Sequence, residues 1–360
     1  MSGKKAIRVL AVGLGNMGLS HARAYHNLDG FELAALCSRT ASTKTDLPAE
    51  LAGYPRYDDY FQALDELKPE AVSISTWTDT HVKFALKALE AGAHVFVEKP
   101  LAETIEEAQA VVDKATEMKR KLVVGYILRH HPAWSVFVEQ ARKLGSPLVM
   151  RMNLNQQSSG SEWAVHKQLM QTTSPIVDCG VHYVDIMCLM TGSRPLRVHA
   201  MGARLSGDVK PGMYNYGQLQ VLFEDGSVGW YEAGWGPMMS ETAFFVKDVV
   251  GPKGSVSIVA AEQSGQGHES SDVEGHTKAG LLRVHHAELD ARGVFTKKDD
   301  LLEMEEDPGH DDLCQREQAY FLKAIQEDID LSGHMADAVN SLRIVLAADE
   351  SVRTGKVVSL

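Results

Sequence analysis

Short apolar runs alternate with helical segments along the first third of the chain. The strand-like runs are IRVLAVG, FELAALC, AVSIST, HVFVE and KLVVGYI, and amphipathic segments such as HVKFALKALEAG and TIEEAQAVVDKATEMK separate several of them. Strands and helices at this spacing predict parallel βαβ units with right-handed crossovers. Gly92 is placed to end one helix, and Thr104 with Glu107 makes a capping box for the next. Residues 1–125 are therefore predicted to form a doubly wound α/β domain.

The pattern changes after Ile127, where longer alternating runs such as YGQLQVLFEDGSVGWYEAG begin. The turn signals at 224–226 and 252–254 predict antiparallel hairpins. Residues 262–280 are poor in apolar side chains and are predicted to be a mobile loop. A helical segment from Ala336 to Arg353, ended by Gly355, closes the chain. Residues 126–360 are therefore predicted to form a second, α+β domain.

Charge and composition exclude several classes of function. The 36 Lys and Arg are outnumbered by 48 Asp and Glu, giving a net charge of -12, and no basic cluster is dense enough to follow a phosphate backbone. We therefore expect no nucleic-acid partner. The first strand-like run leaves no room for a signal peptide, and no apolar run has the length of a bilayer span, so we expect a cytoplasmic protein with no membrane partner. The four cysteines form no CxxC pair and are expected to be reduced thiols.

Three glycines in GxGxxG spacing lie between the first strand and the first helix. In such a turn Gly13 allows the tight bend, Gly15 allows a pyrophosphate to approach, and Gly18 allows the helix to pack on the strand. The helix N-terminus attracts the anion. We therefore predict a dinucleotide site that also includes the intervening residues Leu14, Asn16 and Met17.

The residues after the second strand bear on which dinucleotide is bound. An acidic residue there bonds the ribose 2′-hydroxyl of NAD, but this chain has Ser38, Arg39 and Thr40. A guanidinium flanked by two hydroxyls suits a 2′-phosphate, so NADP is favoured over NAD. The alternative is that Arg39 is an ordinary solvated loop residue.

Two further strand ends carry polar side chains toward the ligand-binding edge of a parallel sheet. After the third run, Thr76, Thr78 and His81 are predicted to contact the cofactor, although Thr78 alone is equally explained as a helix cap. After the fourth run comes Glu98-Lys99-Pro100. The proline keeps Lys99 out of helical geometry, and the bond between them is a candidate for the cis form. Lys99 is thus predicted to point toward a ligand, the alternative being a surface lysine.

The stretch SPIVDCGVHYVDIMCLMTG, residues 174–192, is predicted to form one buried helix with Ser174 as its cap and Gly192 as its end. Asp178, His182 and Asp185 fall on one side of it at i, i+4 and i+7. An Asp/His pair at this spacing has one of three roles: it stabilises the fold, binds a metal ion or transfers protons. After a dinucleotide domain and a positioned lysine, proton transfer is favoured, and no metal site is predicted.

Taken together, GLGNMG at 13–18, TDTH at 78–81, EKPLA at 98–102 and DCGVH at 178–182 resemble the Gfo/Idh/MocA oxidoreductases over almost the whole chain. The resemblance implies an NAD(P)-dependent sugar or cyclitol dehydrogenase. It also implies an N-terminal Rossmann domain, a C-terminal domain with a large, mainly antiparallel sheet, and a homodimer or homotetramer.

The resemblance also implies residue roles. Lys99 polarises the reacting oxygen, Asp178 holds substrate and His182 exchanges the proton, which makes these three the predicted catalytic residues. Glu98 lies on the nicotinamide side of the site. Arg129 and Trp163 join the three as predicted substrate contacts. The chain departs from the family by carrying Thr172, Thr173, Ser174 and Pro175 before Asp178, where glycines are common.

Three other functions stay open at this point. An NAD-dependent glycoside hydrolase of the same family would produce no net reduced cofactor. A non-catalytic regulatory relative could dispense with Lys99 and His182, which this chain retains. A metalloenzyme built on Asp178 and His182 is the least favoured, and turnover that is insensitive to chelators would exclude it.

Overall fold

The parallel strands predicted at the start of the chain form one six-stranded sheet, ordered β3-β2-β1-β4-β5-β6, in the computed structural model, which describes residues 5–239, 246–259, 279–306 and 308–360. All neighbouring strands in it run parallel. The order reverses between β1 and β4, and ligands bind such sheets outside the carboxyl ends at that point. The elements are β1 (Ile7–Val12), α1 (Asn16–Asn27), β2 (Phe31–Cys37), β3 (Arg56–Tyr57), α2 (Tyr60–Leu67), β4 (Ala71–Ile74), α3 (Thr78–Glu90), β5 (His94–Val97), α4 (Ile105–Glu117) and β6 (Leu122–Val124).

The helix ends in this sheet domain follow the predicted capping chemistry. The Thr104 hydroxyl accepts from the backbone N–H of Glu107 at 3.2 Å and contacts the Glu107 carboxylate at 3.0 Å. Gly92, after α3, has a φ of +85°, a left-handed conformation that favours glycine. The segment between β2 and β4, for which no element was predicted, contains β3 and α2. The signal for α2 was Asp59, whose carboxylate caps the helix by accepting from the N–H of Gln62.

The second sheet has nine strands, in the order β14-β13-β12-β11-β7-β10-β9-β8-β15. It is mainly antiparallel, as predicted, with β7 and β10 as a parallel pair. Both predicted turns connect antiparallel strands, β9 to β10 and β11 to β12. Its strands and the neighbouring helices are α5 (Pro132–Lys143), β7 (Val149–Gln157), α6 (Gly160–Leu169), α7 (Pro175–Asp178), α8 (Gly180–Thr191), β8 (Pro195–Ala203), β9 (Tyr216–Phe223), β10 (Val228–Gly236), β11 (Lys247–Gly251), β12 (Gly254–Ile258), β13 (Leu281–His286), β14 (Asp300–Glu303) and β15 (Val358–Ser359).

The single helix predicted over residues 174–192 is wrong in one respect. Ser174 does cap it and Gly192 does end it, but α7 stops at Asp178 and α8 starts at Gly180. At the junction, the N–H of His182 bonds to the carbonyl of Cys179, only three residues earlier. A Cβ on Gly180 would lie 2.8 Å from the Tyr231 ring, so this glycine allows the chain to lie against the sheet. Asp178 and His182 therefore belong to two consecutive helices.

The chain divides into two compact units that do not follow a single cut. One contains the residues through Ile127 together with Gly309–Val339, and the other contains Leu128–Pro308 and Asn340–Leu360. The second domain was predicted to contain residues 126–360, whereas Gly309–Val339 belongs to the first unit. Two helices follow, α9 (His310–Gln326) in the first unit and α10 (Ser332–Thr354), which begins earlier than predicted and ends before Gly355.

The returning helix α9 packs against α1. The Ser20 hydroxyl donates to the Asp311 carboxylate at 2.6 Å, and the rings of Phe31 and Phe321 stack 6.1 Å apart. In the second unit, α8 packs on the sheet through Tyr183, which stacks on Tyr231 at 5.0 Å.

Two further sequence predictions concern a loop and membrane spans. The loop predicted at 262–280 falls, except for its last two residues, outside the described part of the chain. Among the helices that are described, none combines the length and the apolar character that crossing a membrane requires.

Candidate functional site

The glycine turn between β1 and α1 has the three features that its sequence predicts. Gly13 has a φ of +97°, and a Cβ there would lie 2.1 Å from the carbonyl oxygen of Ser75. A Cβ on Gly18 would lie 2.0 Å from the carbonyl oxygen of Gly13, so α1 packs too closely for a side chain. Gly15, in contrast, faces open space with no atom within 4 Å of its Cβ position. Two glycines are thus required by the fold, and the third leaves room for a ligand.

The other residues of the turn differ in their environments. Leu14 is buried, Asn16 is exposed, and Met17 is partly exposed in the first turn of α1. Helix α1 begins at Asn16, and Gly15, its N-cap, receives no side-chain capping bond. The N–H groups of this first turn are therefore not capped by the residue that precedes the helix. This arrangement fits a pyrophosphate, since the helix N-terminus attracts negative charge.

The end of β2 presents the residues that were predicted to read the ribose. Ser38 is partly buried, and its N–H bonds to the carbonyl of Tyr57. Arg39 and Thr40 are exposed. The Arg39 side chain makes no hydrogen bond or ion pair with any residue that the structure describes. Its guanidinium is therefore available to an anionic group outside the chain.

The end of β4 carries Thr76, Thr78 and His81, whose contacts with a cofactor stay a prediction. Thr78 is the first residue of α3 rather than its cap, which is Trp77. The Thr76 hydroxyl bonds to that of Thr80 at 2.7 Å. His81 is buried, with one ring nitrogen 2.9 Å from the Pro100 carbonyl and the other 3.1 Å from the Thr76 carbonyl. We therefore expect His81 to influence a cofactor only through these two backbone segments.

Burial lowers the pKa of His81, while its two backbone hydrogen bonds and the charge of Glu98 act in the opposite direction. The same strand end exposes a residue that the sequence analysis missed. The indole of Trp77 is 61% exposed, directly between Thr76 and Thr78. A large exposed aromatic ring beside polar ligand-binding positions is a candidate cofactor contact.

Glu98 and Lys99 follow β5, the next strand of the sheet. The N–H of Glu98 bonds to the carbonyl of Ile74, which places this pair at the same sheet edge as the glycine turn and Thr76. Glu98 is buried, Lys99 is partly exposed, and the Lys99–Pro100 bond is cis. The strand ends therefore bring the first unit's predicted residues to one edge.

In the second unit, α7 and α8 are buried along most of their length. From Ser174 through Cys188, Asp178 and His182 are the only residues that are partly exposed. These two side chains are therefore partly accessible on an otherwise buried stretch. Lys99 belongs to the first unit, and Asp178 and His182 to the second.

Side chains from β7, α6 and β10 contact one another and Cys179, the neighbour of Asp178. The Cys179 thiol donates to the Gln156 side-chain oxygen at 3.3 Å, and the Trp235 indole donates to the same oxygen at 2.6 Å. Gln156 and Trp235 are paired residues on β7 and β10. The His166 ring stacks on Trp235 with centroids 4.5 Å apart. Burial lowers the pKa of His166, and the charge of Asp178 opposes that shift.

Sequence reasoning missed Gln156 and Trp235, because they lie far from Asp178 along the chain and carry no local motif. Trp163 was predicted as a substrate contact, and it packs in a small apolar cluster with Trp235 and Cys179. It is 8% exposed. Whether its edge touches a substrate stays a prediction.

Arg129 and Asp185 form a bidentate ion pair in this unit. The guanidinium Nε and Nη2 lie 2.6 and 2.7 Å from the two carboxylate oxygens. Asp185 is fully buried, and the Arg129 side chain is 11% exposed. Asp185 therefore holds α8 rather than lining a site with Asp178 and His182. The predicted contact between Arg129 and substrate stays a prediction.

A buried lysine lies beneath α8. The ammonium of Lys247, on β11, lies 4.9 Å from the centroid of the Tyr183 ring and donates to the Asn153 carbonyl. Burial lowers the pKa of Lys247 to about 7. This buried position was not predicted from the sequence, because a lysine in a strand is normally exposed.

Two family models match the chain. The oxidoreductase family with an NAD-binding Rossmann fold matches residues 7–126, and the Gfo/Idh/MocA C-terminal domain matches residues 139–257. The first model spans all six strands of the first sheet, and the second spans β7 to β11 and most of β12 in the second sheet.

Individual proteins give the same picture. UDP-N-acetylglucosamine 3-dehydrogenase of Acidithiobacillus ferrooxidans is 31% identical over 198 residues, which span 54% of this chain and only 58% of that protein. The scyllo-inositol 2-dehydrogenase (NAD(+)) of Bacillus subtilis is 27% identical over 265 residues, 70% of this chain and 73% of that one.

A solved structure, scyllo-inositol dehydrogenase of Lactobacillus casei with bound NAD(H) and scyllo-inositol, shares the fold with a TM-score of 0.75. It is 19% identical and covers 99% of both chains. The two family models, the sheet order and the glycine turn agree, and the chain therefore belongs to the Gfo/Idh/MocA family of oxidoreductases, with an NAD(P)-binding Rossmann domain.

Proposed function

We propose that the chain is an NAD(P)-dependent dehydrogenase that acts on a hydroxyl-bearing carbon of a sugar, a cyclitol or a related polyol. The observation that carries the proposal is that one unit holds an open glycine turn, and that the other holds Asp178 and His182 as the two partly exposed residues between Ser174 and Cys188. The names of the relatives support the substrate class.

The proposed roles follow from the chemistry of each side chain. When bound, the nicotinamide cofactor supplies the hydride acceptor or donor. Lys99 stabilises negative charge on the reacting oxygen, as an ammonium does at a developing alkoxide. His182 removes the hydroxyl proton, because imidazole titrates near neutral pH, and Asp178 holds the substrate.

We also propose that NADP binds more tightly than NAD. Arg39 is exposed at the end of β2 and is not engaged by another described residue, so it can bond a 2′-phosphate. Ser38 and Thr40 add hydroxyls on either side, where NAD-binding sites of this type place an acid. The remaining cofactor contacts that we propose are the turn residues 13–18, Thr76, Thr78 and Glu98.

The test is a thermal-shift titration with both cofactors, followed by turnover on a panel of polyols. We expect a larger shift with NADP, and we expect Arg39→Asp to reverse the order, with Lys44→Asp as a charge-matched control. Equal shifts for the two cofactors in the unaltered chain would exclude the role of Arg39.

Net formation of reduced cofactor separates the possible activities. A dehydrogenase accumulates NADPH or NADH in proportion to product. A glycoside hydrolase releases a sugar without that accumulation, and a regulatory protein binds cofactor without turnover.

We further propose that the nine-stranded sheet joins copies of the chain. Val149, Val228 and Val250 are exposed, and they are paired across three neighbouring strands, so they form one apolar row. Burying such a row against a second copy removes apolar surface from water. Light scattering should therefore report a dimer or tetramer, and Val149→Lys should weaken it; a monomeric unaltered chain would exclude the proposal.

A further inference from the structure

Glu98 sits in a buried hydrogen-bond network within the first unit. Its side chain is almost fully buried, and its Oε1 lies 2.7 Å from Nε2 of His21, a buried residue of α1. Its other oxygen, Oε2, accepts from the backbone N–H of Lys99 at 3.1 Å. One carboxylate therefore links the helix that opens after the glycine turn to the backbone of the lysine predicted to be catalytic.

The network continues on the far side of the imidazole. The side-chain amide nitrogen of Gln318, on α9, lies 2.9 Å from Nδ1 of His21, and the Tyr25 hydroxyl donates to the Gln318 side-chain oxygen. The amide NH₂ is a donor, so Nδ1 accepts. Nε2 of His21 therefore carries the ring proton and donates it to Glu98. A hydrogen bond to a carboxylate is among the stronger ones in proteins.

The backbone confines the carboxylate as well. A Cβ added to Gly125, after β6, would lie 3.2 Å from Cδ and from both oxygens of Glu98. The N–H of Gly125 bonds to the carbonyl of Val97, so this contact is fixed by the sheet. Glu98 is thus held by a ring proton at one oxygen, a backbone N–H at the other, and a glycine against its carboxylate group.

A metal site is the alternative use of these side chains. The ligand atoms of His21, Cys314 and Glu317 lie within 4.8 Å of one another, and all three residues are buried. Both ring nitrogens of His21 already have hydrogen-bond partners, however. The imidazole has no lone pair left for an ion, so the network is better explained by the orientation of Glu98.

We propose that His21 is a positioning residue that holds Glu98 as an oriented anion and, through the backbone N–H of Lys99, sets the direction of the lysine ammonium. Gln318 and Tyr25 fix the imidazole in the tautomer that this requires. The returning helix α9 thereby completes the Rossmann half of the site. The inference rests on the proposed function, in which Glu98 and Lys99 act on the nicotinamide and on the reacting oxygen.

The experiment compares His21→Gln with His21→Leu in the full-length chain. Glutamine can donate an amide proton to Glu98 and accept one from Gln318, whereas leucine can do neither. We expect His21→Leu to lower kcat about tenfold or more, the loss typical of a hydrogen bond to a charged group. The KM for the polyol and the affinity for the cofactor should change by less than about threefold, because neither ligand touches His21. His21→Gln should recover most of kcat.

A spectroscopic measurement reports on the hydrogen bond itself. In protein labelled with ¹⁵N at histidine, the Nε2 proton of His21 should resonate far downfield, and both His21→Gln and Glu98→Gln should alter or remove that signal. Its absence in the unaltered chain would overturn the inference.

The kinetic outcomes separate the two proposals. If the unaltered chain neither binds a nicotinamide cofactor nor oxidises a polyol, the proposed function fails and the role of His21 fails with it. If the unaltered chain is active and a folded His21→Leu keeps its kcat, only the role of His21 is overturned. If His21→Leu does not fold, Gln318→Leu is measured instead. An unchanged kcat in Gln318→Leu would likewise overturn the role of His21.

Discussion

In the first unit the candidate residues sit in backbone turns at the ends of strands, whereas in the second they project from helices that side chains hold in place. Gly13, Gly18 and Lys99 owe their positions to the chain within a few residues of them and to the neighbouring strand. His182 owes its position to the Arg129–Asp185 pair and to the packing of Gly180 on Tyr231. Positions held by the backbone suit the binding of a cofactor that many enzymes share. Positions held by side chains suit the binding of a substrate that differs from one relative to another.

The largest expected effects concern Lys99 in the first unit and His182 in the second. Lys99→Ala and His182→Ala should each reduce kcat by about 10²–10⁴, because an electrostatic stabiliser or a general base is lost. Cofactor binding, followed by thermal shift, should persist in both. Lys114→Ala and His199→Ala serve as matched controls outside the proposed site. Near-normal turnover in either catalytic variant would remove that residue from the mechanism.

The second test concerns the ion pair that holds α8. Asp185→Asn leaves the Arg129 guanidinium largely buried without its counter-charge, which we expect to cost about 3–5 kcal/mol of unfolding free energy. Asp248→Asn breaks a second bidentate pair of this unit, with Arg151, which is 54% exposed. That variant should lose less than about 1 kcal/mol. Chemical denaturation of both variants makes the comparison, and similar losses would show that burial does not distinguish the two pairs.

The third test separates the glycines that the fold needs from the one that a ligand needs. Gly13→Ala forces a side chain into a left-handed conformation and against the Ser75 carbonyl, so we expect a loss of at least about 1–3 kcal/mol. Gly15→Ala meets no neighbouring atom and should leave stability within about 0.5 kcal/mol of the parent. It should nevertheless weaken cofactor binding about tenfold, which corresponds to about 1.4 kcal/mol. Unchanged cofactor affinity in Gly15→Ala would contradict a pyrophosphate at this turn.

The same contrast explains which features the sequence could predict. The tight bend at Gly13, the close packing at Gly18, the Thr104 capping box and the parallel first sheet depend on contacts within a few residues or on the regular geometry of βαβ units, and these predictions are confirmed. The break between α7 and α8 was missed, because it depends on Gly180 meeting Tyr231, about fifty positions later.

Long-range contacts account for the other misses. Gln156 and Trp235 meet beside Cys179 only because β7 and β10 pair in parallel. His21 was not singled out from the sequence, since its partners Glu98 and Gln318 lie far along the chain. No local pattern records such contacts, so the surroundings of Cys179 and the network behind Glu98 could not be predicted from the sequence.

The smallest expected effect concerns a buried acidic residue in the first unit. Glu317, on α9, is fully buried, and its carboxylate oxygens have no hydrogen-bond partner among the described residues. Burial, reinforced by the charge of Glu98, raises its pKa well above the usual 4.5. The folded chain therefore keeps a proton that the unfolded chain releases above about pH 4.5. The unfolding free energy should consequently fall as the pH rises from there toward the raised pKa.

Glu317→Gln cannot ionise, so it should remove this part of the pH dependence. The variant and the parent should have similar stability near pH 4.5, and the variant should be the more stable of the two at pH 8. Chemical denaturation across this pH range measures the effect. Glu327→Gln, at the exposed end of the same helix, is the control and should track the parent. Parallel curves for the parent and Glu317→Gln would mean that Glu317 is ionised in the folded chain, and that the first unit tolerates two buried carboxylates where we infer one charged and one protonated.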